Sequence, residues 1–123
     1  MNAKELRIGN LVYHNDEIIE IKSLHSQDDD VNDEISFHAI NGIKLTEDWL
    51  IKCGFVKEFW KTKPQTYYLF NGIIVILKDD YYENGAIFYK NTLLFEEKLN
   101  LHKLQNLYFV LKGDELIVSD AVS

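Results

Sequence analysis

Short β-rich runs joined by tight-turn dipeptides, beside only two stretches of helical periodicity, predict an α+β fold with a mostly antiparallel sheet. The clearest turn is Asn71-Gly72, set between TYYLF and IIVIL; this pair is preferred at type I′ hairpins, where both central residues need positive φ. The helical stretches are TEDWLIKCG and NLHKLQNLYFVLKG, each opened by a capping residue and closed by glycine.

Taken in order, Leu11–His14 and Ile18–Lys22 flank Asn15-Asp16 and read as a hairpin, with Gly9 at the bend leading into it. Ile35–Ile40 alternates apolar and polar residues, as a strand with one buried face does, and Asn41-Gly42 then turns the chain. These N-terminal hairpins could close into a small SH3-like barrel. Thr46 caps a helix expected at 47–53, where Glu47 and Asp48 complement the helix dipole and Gly54 stops it. Lys57–Lys63, with Pro64, reads as a basic loop. TYYLF and IIVILK form one hairpin, and Ile87–Tyr89 with Thr92–Phe95 form another around Lys90-Asn91, after a turn signal at Glu83-Asn84-Gly85. In the second helix Leu101, Leu104, Tyr108 and Leu111 make the apolar stripe, and Leu107, Phe109 and Val110 widen it towards burial. A short strand, Glu115–Ser119, is expected to finish the fold.

At 123 residues, 46% hydrophobic and 13% aromatic, the chain suits one domain spanning 1–123. The longest apolar run, Ile73–Leu77, is far short of the ~20 residues that span a bilayer. The N-terminus has no apolar h-region, and the single cysteine, Cys53, suits a reducing compartment, so a cytoplasmic location is expected. Net charge is −7, and Asp28–Glu34 alone contributes five acids and no base. Such a balance disfavours direct binding to nucleic acid, which needs cations against phosphates, and suits a basic protein partner.

The same acidic segment opens like an EF-hand loop, with Asp28, Asp30 and Asn32 at alternate positions. Glycine at the sixth position and glutamate at the twelfth are replaced by Asp33 and Ala39, and the flanks read as strands, so no calcium site is expected. The four histidines lack zinc-site spacing, and Cys53 sits on the apolar face of its helix beside Trp49. No metal, no cofactor and no catalytic residue is therefore assigned. His102 and Lys103 fall in the first turn of the second helix, where positive charge opposes the dipole and marks a weak anion-site candidate. Phe59, Trp60, Tyr81 and Tyr82 fall in expected loops beside charges, where aromatic side chains commonly anchor interfaces. The expected partner-binding residues are thus Asp28, Asp29, Asp30, Asp33, Glu34, Trp60, Tyr81 and Tyr82. The alternative is a nucleic-acid accessory role for the loop carrying Lys57, Trp60, Lys61 and Lys63.

The pieces LRIGNLVYHNDEIIEIKSL, GIKLTEDWLIKCGF and LHKLQNLYFVLKGDEL together resemble small proteins of phages and mobile elements of the Bacteroidota. The resemblance covers about half the chain, omits the acidic segment and carries no catalytic motif. It implies a non-enzymatic protein that binds a host protein, as a phage inhibitor of a CRISPR effector does. The partner so implied is a basic RNA-guided nucleoprotein of the host.

Overall fold

The computed structural model describes residues 5–25, 30–32, 35–62, 65–79 and 84–119. In chain order the elements are β1 (Leu11–His14), β2 (Glu17–Glu20), β3 (Leu24–His25), β4 (Asp30–Val31), β5 (Ile35–Ser36), a 3₁₀ turn (Phe37–Ala39), β6 (Ile40–Asn41) and α1 (Glu47–Lys52). Then follow β7 (Val56–Trp60), β8 (Gln65–Phe70), β9 (Ile73–Asp79), β10 (Asn84–Tyr89), β11 (Thr92–Lys98) and α2 (Leu101–Lys112). All strand pairs are antiparallel, so the fold is α+β with antiparallel sheet. None of the described helices is long and apolar enough to cross a membrane.

The chain forms two compact units. Among the described residues, the first takes 5–44 and 100–116, and the second takes 45–99 and 117–119.

In the first unit the strands form two sheets, β2-β1-β6 and β3-β4-β5. Asn15 and Asp16 take positive φ of 51° and 64°, so the first hairpin turns where the sequence expects. The stretch Ile35–Ile40, expected as one strand, is broken. Ser36 accepts from the His38 N–H and caps the 3₁₀ turn, which buries Phe37 before β6 returns to pair with β1. This unit thus sets β1 between β2 and β6 in one sheet and β4 between β3 and β5 in the other. Its core gathers Leu6, Val12, Ile21, Val31, Phe37 and Ile40, all buried.

Helix α2 completes this unit, capped by Asn100, whose side chain accepts from the Lys103 N–H, and closed by Gly113 at φ 75°. The expected stripe is buried at Leu101, Leu104 and Tyr108, but Phe109 (40% exposed) and Val110 (78% exposed) face solvent. His102 and Gln105 are buried in their stead. Gln105 earns its place through hydrogen bonds: its Oε1 accepts from the Leu11 N–H at 2.9 Å and its Nε2 donates to the Gly9 carbonyl at 3.3 Å. Asn10 donates to Asn106 at 2.7 Å, and Arg7 reaches Asn106 at 3.1 Å, the two carboxylate oxygens of Glu115, and the face of the Phe109 ring. The segment LRIGN is thereby latched onto α2, roughly a hundred residues away in sequence.

The second unit is a five-stranded meander in the order β11-β10-β9-β8-β7. Both its tight hairpins turn at the expected dipeptides, with Asn71 at φ 47° and Lys90 and Asn91 at 51° and 64°. Gly85 sits beside an irregularity in the β10–β9 register; a Cβ there would stand 2.6 Å from the Ile76 carbonyl oxygen, so only glycine lets these strands close. Thr46 caps α1, with Cys53 at its C-cap. The basic run expected as a loop begins instead as β7, an edge strand. The expected terminal strand Glu115–Ser119 does not form: Leu116 is buried, and the Ser119 N–H donates singly to the Lys52 carbonyl at 2.9 Å.

Candidate protein-docking surface

Register in the five-stranded sheet lines up residues that lie far apart in sequence. Val56 opposes Leu69, Leu69 opposes Ile74, Ile74 opposes Phe88, and Phe88 opposes Leu93. Directly opposed residues in antiparallel strands share a face, so these five side chains form one row across every strand. At ~4.8 Å per strand spacing the row is about 19 Å long. Val56 is 57% exposed, Leu69 37% and Leu93 46%, while Ile74 and Phe88 are half-buried. The adjacent row on the other face, Lys57-Tyr68-Val75-Ile87-Phe95, buries its three central members. On that buried face, the Tyr68 hydroxyl donates to Glu47 of α1 at 3.3 Å and Phe55 packs on Phe70, ring centroids 5.4 Å apart. The sheet is therefore half-packed: one face is a core, and the other presents a continuous apolar stripe.

β7 borders that stripe. Every residue of the strand is exposed, and it pairs only with β8 among the described strands. Val56, Glu58 and Trp60 alternate onto the open face, where Trp60 stacks on Tyr67 with centroids 4.4 Å apart. Phe59, 58% exposed, points to the other side. Trp60 was expected in a loop; it is instead held on a strand by a cross-strand stack. Lys57 pairs with Glu47 at 2.8 Å, and this contact holds the Glu47 carboxyl below its ordinary range and the Lys57 ammonium above its own. Lys57 is thus committed within the fold, which weakens the case for a basic nucleic-acid loop. Lys78 and Glu96 form a second ion pair at 2.7 Å.

Of the acidic segment, Asp28, Asp29, Asp33 and Glu34 lie outside the described residues, as do Tyr81, Tyr82 and Lys63. Asp30 opens β4. Asn32, the third residue of the EF-hand-like opening, is a turn residue at φ 52°. Its side chain accepts from the Lys22 and Ser23 N–H groups at 2.6 and 3.2 Å and donates to the Glu20 carbonyl at 3.0 Å. That oxygen is occupied by backbone, and strands flank the segment on both sides. An open concavity of about 560 Å³, lined by Ile19, Glu20, Lys22, Ser23 and Asn32, lies beside this turn.

His102 does not join Lys103 as a surface cation. Its imidazole has 0% exposure, neither ring nitrogen has a hydrogen-bond partner among the described residues, and a carboxylate oxygen of Glu5 lies 3.8 Å from Nε2. Burial, opposed in part by Glu5 and aided by Lys103, pushes its pKa down to about 4, so the ring is neutral at pH 7. Two of the first-turn N–H groups are engaged as well: Leu101 donates to the Ile43 carbonyl and Lys103 to the Asn100 side chain. Cys53 is buried, and burial pushes its thiol up to about 12, far from a thiolate nucleophile. Among the described residues no three His, Cys, Asp or Glu side chains converge as a metal site needs.

Sequence reasoning missed the apolar row because its members come from five strands. The available signal was the two successive hairpins with fixed two-residue turns, from which the register could have been counted. The chain matches no family model, no curated protein sequence and no solved structure.

Proposed function

We propose that this protein is a non-enzymatic binding module that docks on another protein through the open face of its five-stranded sheet. The observation that carries the reading is the exposed row Val56-Leu69-Ile74-Phe88-Leu93, a contiguous apolar stripe of the kind that marks interaction sites on soluble proteins. Aromatic side chains at its border, Trp60 and Tyr67, are the residue types that anchor interfaces. The net charge of −7 favours a basic partner by steering encounter. The resemblance to proteins of Bacteroidota phages and mobile elements directs the search to a host defence protein, a basic RNA-guided effector being the leading class.

The test is affinity capture from a Bacteroidota host lysate with the wild-type chain and a Leu69→Asp, Leu93→Asp variant. Both positions are exposed, so the variant should keep the wild-type circular dichroism spectrum. A host protein retained by wild type and lost from the variant is the expected result. Equal retention by a folded variant removes the sheet face from the account.

A further inference from the structure

We infer that Glu58, Trp60 and Tyr67 form a receptor for one arginine side chain presented by a protein partner, an inference that rests on the docking role proposed above. The three residues share the open face at its β7 border. Glu58 is directly opposite Tyr67 and two residues from Trp60, and Trp60 stacks on Tyr67 with an interplanar angle of 29°. Charge complementarity identifies the guest. Glu47 and Glu96, two other carboxylates of this unit, are already paired with Lys57 and Lys78. Glu58 is exposed and has no cationic partner among the described residues.

The aromatic rings tell the same story. The chain's own cations cover other rings: Arg7 lies 4.4 Å from the Phe109 centroid, Lys52 4.9 Å from Trp49, and Lys90 5.4 Å from Tyr89. The Trp60–Tyr67 stack has no such cation among the described residues. An aromatic face beside an unneutralised carboxylate is complementary to a cation that is planar and forked. A guanidinium can lie against the indole while its N–H groups meet the carboxylate, whereas an ammonium supplies only the point charge. Val56 and Leu69, next along the same face, would take an apolar residue flanking that arginine.

The probe is a blocked Leu-Arg-Leu peptide titrated into the full ¹⁵N-labelled chain, with Leu-Lys-Leu and Leu-citrulline-Leu as controls. The readout is the Trp60 indole N–H signal, assigned with Trp60→Phe; the buried Trp49 serves as an internal reference. The expected result is a saturable shift of the Trp60 signal alone, at a Kd of about 1 mM as befits a single exposed contact. Glu58→Gln should weaken the arginine peptide about tenfold, and citrulline should abolish binding. The inference falls if the citrulline peptide shifts Trp60 equally, if the lysine peptide binds as tightly, if Glu58→Gln changes nothing, or if no shift develops by about 10 mM peptide. Its fate is separable from that of the docking face. Host-protein capture that needs Leu69 and Leu93 but survives Glu58→Gln leaves the binding module standing and removes the arginine receptor. Peptide binding that needs Glu58, with capture indifferent to Leu69 and Leu93, does the reverse.

Discussion

An imidazole sealed from water with neither nitrogen hydrogen-bonded is a destabilising choice, and His102 is one among the described residues. Its folded-state pKa of about 4 lies below its ordinary value of 6.5. At pH 7 both folded and unfolded chains hold the ring largely neutral, so no protonation-linked penalty adds to the cost of the unpartnered nitrogens. As pH falls through 6.5 the unfolded chain takes up a proton that the folded chain refuses, so stability drops until the folded ring also protonates near 4. The shift corresponds to a loss on the order of 3 kcal/mol across that window. The groups that bear on the ring are Glu5, which favours its protonation, and Lys103, which opposes it. His102→Leu should therefore equal or exceed wild type in urea denaturation at about pH 7, because an unpartnered polar group is replaced by an apolar one. It should also lose distinctly less stability than wild type between about pH 6.5 and pH 4. Parallel pH profiles for the two proteins would mean that the ring finds a partner.

The elements that could be read in advance are those whose signals are local. Thr46 and Asn100 announce their helices through hydrogen bonds made within the first turn. Asn15-Asp16, Asn71-Gly72 and Lys90-Asn91 announce hairpins through the positive φ values their turns demand. What escaped depends on distant partners. β7 carries charges and exposed aromatics on both faces, a composition that reads as loop, and its strand character comes from pairing with β8. Gln105 breaks the periodicity of α2 because its amide meets backbone groups of Gly9 and Leu11. Lys90-Asn91 is the turn least suited in composition to its geometry: like Asn15-Asp16 it has positive φ at both residues and no glycine, and it alone places a lysine in the left-handed region that asparagine and aspartate tolerate better. Asn91→Gly should stabilise the β10–β11 hairpin by a few tenths to about 1 kcal/mol. The measurement is the denaturation midpoint, with the denaturant slope unchanged; a lower midpoint would mean that the unfolded-chain entropy of glycine outweighs the relieved turn strain.

For the whole molecule, chain order and spatial order disagree, because the first unit takes its strands from residues before 45 and its helix from residues after 99. The exit and return points are adjacent. Lys44 and Asn100 face each other across an antiparallel bridge, and the Leu101 N–H donates to the Ile43 carbonyl at 2.8 Å. Opposed residues in such a bridge have Cα atoms about 5 Å apart, a gap that a two-residue turn can close. The contacts of the N-terminal segment with α2, Leu11 to Gln105 and Asn10 to Asn106, and with Glu115 just beyond it, through Arg7, lie within this unit. A chain in which residues 45–99 are replaced by Asn-Gly should therefore retain dispersed amide signals for α2 and for Leu11, as well as slow exchange of the Leu11 N–H held by Gln105. Truncation after Leu99 removes α2 and takes from the Leu11 N–H and the Asn10 Nδ2 the side-chain acceptors that α2 supplies, so that shorter chain should unfold. Collapse of the Asn-Gly variant to an undispersed spectrum would show that the strands of the first unit need the five-stranded sheet to fold, whatever the local hydrogen bonds provide.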